Sequence, residues 1–344
     1  MAKEKVTHQK TIARRLGVSA TTVSRALRNH PGLPAELRFR IAREAERIGL
    51  DFTPRKKAQV FENTHATFQV LVGGKAKPGS PEARVTERLV LGMSRSARLH
   101  FADLRTDYFS PEELESWREA KDLPSHLRPD KVHGFVLIAV LPLRALELLK
   151  AIGPCVQIVQ RHPEIALDRV DHDDSQSMNL LVAHLVSLGH RRIGFATTKT
   201  GRSFEFSRYA GYAAALSQYG IEFEKEHVVA FEKNIPEETS FKKIQDRVNG
   251  GVRAWICVHD GLGYRVQAAM KKKGLHIPRD LSICGFDHLP PPEGLLPLTS
   301  IEAPFEVMGA AAVDRLVNSL RRLDTECAHV LFDTRLIPGE TTAR

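Results

Sequence analysis

The sequence has no apolar run near the roughly 18 residues a membrane helix requires, so no membrane partner is expected. Its opening residues, with Lys3, Glu4, Lys5, Thr7 and His8, lack the apolar stretch of a secretory signal, and the expectation is a cytoplasmic protein. Cysteine is scarce. Cys155, Cys257, Cys284 and Cys327 are widely spaced without a C-x-x-C pair, which predicts buried free thiols rather than a disulfide framework or a thiolate metal site. No G-x-G-x-x-G follows the first apolar strand pattern, and Gly73-Gly74-Lys75 lacks the further residues of a P-loop. Serine and cysteine nucleophiles have no sequence-local partner. His172-Asp173-Asp174 has the side-chain types of a metal site but stands at a predicted helix start, where aspartate is an ordinary cap. Neither a metal, a cofactor nor catalysis is expected.

Negative charge is missing from one end of the chain. The first 60 residues hold 14 Lys and Arg against 5 Asp and Glu, while the remaining 284 hold 36 of each. The whole net charge of +9 therefore belongs to the N-terminal segment, which suits a polyanionic partner.

That segment contains a helix-turn-helix pattern over residues 11–28, TIARRLGVSATTVSRALR. Ile12, Ala13 and Leu16 make one apolar stripe and Val18, Val23 and Leu27 another, so two short helices can pack steeply around a shared core. Gly17 supplies the turn and Ser19 is placed to cap the second helix, which leaves Ala20, Thr21, Ser24 and Arg25 on its early, outward face. A third helix is predicted from Pro34 to about Ile48, with Leu37, Ile41, Ala45 and Ile48 at helical spacing. The domain organisation read from this is an all-α headpiece over 1–50, a basic then polar linker over 51–67, and a core over 68–344.

In the core, strands and helices alternate. Phe68 to Val72, Gly134 to Val140 and Val156 to Val159 read as strands, and Pro81 to Ala97 and Leu143 to Ile152 as helices. This βαβαβ order predicts a parallel, doubly wound sheet. A second series begins near Asp173, with helices over 175–188, 207–219 and 264–273 and strands over 192–196, 254–258 and 281–286. A long amphipathic helix follows from Pro304 to Leu320. The fold class expected is α/β, two doubly wound lobes with a ligand site between them at the carboxyl ends of their strands.

These residues resemble the LacI/GalR family of bacterial transcription regulators along essentially the whole chain. The resemblance is carried by Ile12-Ala13, Gly17-Val18-Ser19 and Thr22-Val23-Ser24-Arg25, then by GHRRI at 189–193, RYAGY at 208–212, IPRDLS at 277–282, GFD at 285–287 and PLTSI at 297–301. It implies a headpiece, a hinge and a core like periplasmic sugar-binding proteins, the lobes joined by three crossing strands. The lobes would cover about 68–165 with 298–324, and about 171–295 with 328–340. No leucine-heptad tail follows the last strand, so the resemblance implies a homodimer on an approximately palindromic operator.

It also implies roles. Ala20, Thr21 and Arg25 would face base edges in the major groove, and Ser19, Thr22, Ser24 and Asn29 would hold phosphates. At the hinge Ala58 fits the family pattern, Arg55 replaces an Asn, and Phe61 stands where a Leu commonly wedges into the minor groove. Arg208 and Asp287 would bind the effector, a guanidinium fork and a carboxylate suited to vicinal hydroxyls. His259 and Gln160 occupy positions where the family commonly has Asn and Asp, which turns the pocket away from an ordinary pyranose. The function expected is a sequence-specific DNA-binding regulator of the repressor kind, controlled by a small polar, carbohydrate-like effector. The alternative is an enzyme built on the α/β core with a DNA-binding appendage.

Overall fold

The computed structural model describes residues 2–27, 33, 37, 40, 41, 44, 45, 66–74, 81–129, 131–321 and 326–344. The chain divides into two units, Met1–His65 and Ala66–Arg344. In the first, α1 (Ala2–Leu16) and α2 (Ala20–Leu27) meet at Gly17, whose φ of +66° is the left-handed conformation a tight turn needs and a side chain resists. Ile12 and Val23 are fully buried, together with Ala13, Ala26, Ile41 and Ala45, and Leu16, Val18, Leu33 and Leu37 pack on the margin. Ile12, Ala13, Leu16, Val18 and Val23 of the predicted stripes thus lie in or against the headpiece core. Positions 37, 40, 41, 44 and 45 are helical, and Arg15 of α1 meets Glu44 at 2.7 Å.

The second unit holds twelve strands among the described residues. They are β1 (Thr67–Gly73), β2 (Asp103–Phe109), β3 (Gly134–Ile138), β4 (Cys155–Ile158), β5 (Asp168–His172), β6 (Ile193–Thr198), β7 (Val228–Phe231), β8 (Ala254–Cys257), β9 (Ser282–Phe286), β10 (Thr299–Glu302), β11 (His329–Phe332) and β12 (Arg335–Ile337). Its helices are α3 (Pro81–Leu99), α4 (Pro111–Glu115), α5 (Leu143–Ile152), α6 (Asp174–Ser187), α7 (Ser203–Gln218), α8 (Glu237–Asn249), α9 (Asp260–Lys272) and α10 (Phe305–Arg321). No described helix is long and apolar enough to cross a membrane.

Two six-stranded sheets result, in the orders β11-β5-β4-β3-β1-β2 and β12-β10-β9-β8-β6-β7. The first is parallel throughout, and the second is parallel except for β12, which runs antiparallel to β10. Strands such as β3, GFVLI, are near-continuous apolar runs because helices cover both faces. The same order in both sheets puts a topological switch point beside β1 and another beside β6, where a doubly wound sheet opens a crevice at its carboxyl edge.

The chain passes between the sheets three times, at Asp173 after β5, at Ala303-Pro304 after β10, and at Asp333-Thr334 after β11. The lobe limits read from the resemblance need correction at the last two. β10 does not belong with the first lobe, because it pairs with β9 from Thr299↔Cys284 to Ile301↔Phe286. β11 does not belong with the second, because it pairs with β5 from His329↔Arg169 to Phe332↔His172. A four-residue strand carries no mark of which sheet edge is vacant, so the ladder alone decides.

Two glycines close the first lobe. A Cβ on Gly92 of α3 would stand 1.8 Å from the Glu306 carbonyl oxygen, and one on Gly309 of α10 would stand 2.0 Å from that of Leu89. The helices therefore cross backbone to backbone, which only glycine permits at both points. In the second lobe Tyr212 stacks on Phe195 at 5.0 Å and donates to the Ile193 carbonyl at 2.7 Å. The C-terminal residues are tied to the same sheet: Ile283 N–H donates to the Thr341 carbonyl at 2.8 Å, and His190 Nε2 lies 2.8 Å from the Ala343 carbonyl oxygen. Cys155, Cys257 and Cys284 are buried and free, but Cys327 is exposed, since it lies in the approach to the edge strand β11 rather than inside a sheet.

Candidate functional site

On the headpiece, Ser19 caps α2. Its Oγ accepts the Thr22 N–H at 2.9 Å and lies 2.8 Å from Thr22 Oγ1, so these two hydroxyls are first of all helix-building groups. Ala20, Thr21 and Arg25 are exposed on α2, while Thr22 and Ser24 are half-buried. Asn29, Ala58 and Phe61 lie outside the described residues.

In the core a cleft of about 970 Å³ opens at the carboxyl ends of the strands. Gly73 and Gly74 enter it from β1, Ile138 from β3, Gln160 from beyond β4 and His172 from β5; Thr198, His259 and Asp287 enter from the second sheet. Arg208 of α7 lines it as well, so Arg208, Asp287, His259 and Gln160 are brought to one cavity.

Arg208 is buried, its side chain 3% exposed. Nε donates to Asp174 Oδ1 at 2.9 Å, one Nη to the Val258 carbonyl, and the other lies 3.0 Å from His172 Nε2. Its Cζ sits 3.4 Å from the centre of the Phe286 ring and 4.7 Å from that of Phe204. Burial alone would raise the Asp174 carboxyl; the Arg208 guanidinium, with His172 and the Ser207 hydroxyl, outweighs it and holds the carboxyl well below the usual carboxylate range. Arg208 is therefore held in a buried salt bridge and also lines the cleft.

His259 is the N-cap of α9. Nδ1 accepts the Leu262 N–H at 3.1 Å, so the neutral ring carries its proton on Nε2 and keeps a donor. Burial, then the guanidiniums of Arg208, Arg265 and Arg202, push its pKa down to about 3. Gln160 reaches across the lobes: its Oε1 accepts from the Ser203 hydroxyl at 3.2 Å, and the Arg161 N–H donates to the same hydroxyl at 2.9 Å. Asp287 has φ +108°, a costly conformation for a residue with a side chain, and its N–H donates to the Ile301 carbonyl at 2.8 Å. Behind it Asp260 accepts the Leu289 N–H and the Ser300 hydroxyl, while burial and then Asp287 raise the Asp260 carboxyl well above its ordinary range.

Sequence reasoning missed several residues that shape this site. Glu205 gathers the Thr198 and Thr200 hydroxyls and the N–H groups of Thr200 and Gly201, which fixes the loop beside the cleft. A glutamate in the first turn of a helix after Thr-Lys-Thr-Gly was the available signal. Arg202 had none, and the run His172-Asp173-Asp174 gave no hint that Asp174 pairs with Arg208, which is distant in sequence. At 172–174, Asp173 caps α6 by accepting the Gln176 N–H at 2.9 Å, and Asp174 is taken by Arg208 and Ser207. Among the described residues no His, Cys, Asp or Glu group is placed to hold a metal.

Residues 182–342 match the periplasmic binding protein-like domain family. The chain is 26% identical over 342 residues to the HTH-type transcriptional repressor CytR of Escherichia coli K12, covering 97% of this chain and 96% of that one. Among solved structures, the transcriptional regulator CelR in complex with cellobiose superposes with a TM-score of 0.68 at 20% identity, over 97% of this chain and 99% of that one. The lac repressor dimer bound to operator and the anti-inducer ONPF gives 0.66 at 19% identity, over 97% and 98%.

Proposed function

We propose that the chain is a transcription regulator of the LacI/GalR kind, a homodimeric repressor and not an enzyme. It reads an approximately palindromic operator through α2 and answers to a small polar effector in the cleft. The observation that carries this reading is the meeting of Arg208, Asp287, His259 and Gln160 in one cavity at the carboxyl ends of both sheets. A sugar-bound relative supports a carbohydrate-like ligand.

Thr21 and Arg25 make base contacts, Ala20 offers a methyl-sized surface, and Ser19, Thr22, Ser24 and Asn29 hold phosphates. Phe61, beside Ala58, wedges the operator centre from the hinge. The mechanism is lobe closure about the three crossings. Ligand between the lobes favours the closed form, and by linkage operator and effector change each other's affinity by one common factor.

The test is a thermal-shift screen of the full chain against sugars, sugar acids, polyols and nucleosides, followed by operator titration with and without the hit. The expected result is saturable binding without turnover and a changed operator affinity. A ligand consumed catalytically, or one that leaves operator affinity untouched, rejects the proposal.

A further inference from the structure

The cleft is chemically two-sided. Its first-lobe wall is largely carbon, formed by Val72, Val85, Leu89, Ile138, Ile158 and Phe305. The polar side chains beside that wall are Thr86, Gln160 and His172; Gln160 Oε1 accepts from Ser203 and His172 Nε2 lies against Asp174 and Arg208. The second-lobe wall is rich in donors. Arg202, Arg208 and Arg265 line it, against the carboxylate of Asp287, the one Asp or Glu among its described lining residues.

The three guanidiniums are not equivalent. Arg208 is paired with Asp174 and Arg265 with Glu237. Arg202 has no carboxylate partner among the described residues; its guanidinium lies 6.0 Å from the centre of the Phe204 ring. It stands near enough to His259 to act on that ring electrostatically, as Arg208 and Arg265 do, and the His259 Nε2–H is a further donor at the same end.

A neutral sugar presents hydroxyls all round its ring. Laid against the carbon wall, some would lose water and gain no partner, an uncompensated cost. Ionised oxygens, by contrast, accept and do not donate, which is what a donor-rich end requires. We infer that the ligand of the cleft is an amphipathic acid, its carboxylate or phosphoryl oxygens at Arg202 and His259 and its hydrocarbon or aromatic carbon against the first-lobe wall. The inference rests on the cleft being the effector site and narrows the carbohydrate reading. A sugar derivative qualifies when it carries both an acid group and an apolar substituent.

Three probes separate the two requirements: phenyl β-glucuronide has both groups, phenyl β-glucoside only the apolar one, and glucuronate only the acid. Calorimetric titration of the full chain is expected to rank phenyl glucuronide first. Arg202→Gln lowers its affinity about tenfold or more, as loss of a charge-assisted contact does, and leaves phenyl glucoside within about twofold. Val85→Asn weakens both phenyl compounds and spares glucuronate. Both replaced side chains are partly exposed, so the fold tolerates the changes. Equal or tighter binding of phenyl glucoside, indifference of phenyl glucuronide to Arg202→Gln, or no saturable binding of phenyl glucuronide overturns the inference. If phenyl glucuronide binds as expected but leaves operator affinity unchanged, the ligand chemistry is supported and the effector reading of the cleft fails. If the neutral glucoside binds more tightly and shifts operator affinity, the effector reading holds and the acid inference fails.

Discussion

Arg208 and Asp174 form a buried ion pair, Nε to Oδ1 at 2.9 Å, at the first point where the chain passes from one lobe to the other. Arg208 lines the cleft, while Asp174 opens α6 one residue after the crossing at Asp173. A ligand that touches Arg208 is therefore one salt bridge from a hinge strand.

Arg208→Gln is expected to cost about 3–5 kcal/mol, because it leaves the Asp174 carboxylate buried without its cation. Urea unfolding at neutral pH measures it. The pH dependence follows in sign: a carboxyl held low in the folded state contributes stability above its unfolded value near 4, lost as pH falls through the folded one. In Arg208→Gln that acid-side loss shrinks, which unfolding curves across the range from about pH 7 to pH 3 would show.

His259→Ala removes the cap of α9 and the Nε2–H donor together. A stability loss of about 1 kcal/mol is expected, with weaker effector binding, whereas His259→Asn keeps the cap and restores most of the stability. Because the ring is neutral above about pH 3, effector affinity between pH 5 and 8 shows no inflection from this residue. An inflection near 6.5 that disappears in His259→Asn would contradict this assignment.

Ser203→Ala removes the hydroxyl that donates to Gln160 Oε1 and accepts the Arg161 N–H, and leaves only the Ser203 N–H, 3.4 Å from Gln160 Oε1, to tie the two segments. Each half-exposed hydrogen bond contributes about 0.5–1.5 kcal/mol at most. The expected outcome is a severalfold loss of effector affinity with a melting temperature lowered by no more than about 2–4 °C, and a larger radius of gyration for the ligand-free core in small-angle scattering.

Gly309→Ala forces a methyl group against the Leu89 carbonyl and must push α10 off α3. Overpacking at a backbone contact costs about 1–3 kcal/mol or more. Denaturant titration of the full chain reads the loss, which Gly92→Ala on the other helix should reproduce.

In the headpiece, Arg25→Ala is expected to cost about 1–3 kcal/mol of base discrimination, and Phe61→Ala to weaken operator binding with the dimer intact. Ser19→Ala acts differently, through about 1 kcal/mol of lost capping. Salt-matched operator titrations, set beside thermal unfolding, separate the direct contacts from the cap.

Much of this fold can be read before any coordinates. Helix 143–152 and the strand read over 134–140, which ends at Ile138, stand out because an apolar stripe or an unbroken apolar run is a local signal. β2 and α8 do not stand out. The strand DLRTDYF lies at a sheet edge and turns Asp103, Arg105 and Asp107 toward solvent or partly so, and α8 buries Phe241, Ile244 and Val248 among charged neighbours. β5 is hidden by Asp168, an aspartate inside a strand that is tolerable because Arg315 reaches it at 2.6 Å and the Ala328 N–H at 2.8 Å. At the cleft, Arg208, Asp287, His259 and Gln160 are singled out beforehand only through the family resemblance, and all four line one cavity. The capping of α9 by His259 and the bond from Gln160 to Ser203 cannot be found in this way, because each depends on which neighbour three-dimensional packing supplies.

The three passages between the sheets give the core a woven character. Neither lobe corresponds to a continuous stretch of chain, so neither can be cut out of the gene as an independent piece. A single protease cut inside the core would divide the polypeptide in two and leave both fragments contributing strands to the same sheets. They should travel together in gel filtration and part only on denaturation. Evolutionary exchange faces the same constraint: a new ligand specificity can be reached by changing residues on the cleft walls, but not by trading one lobe for another.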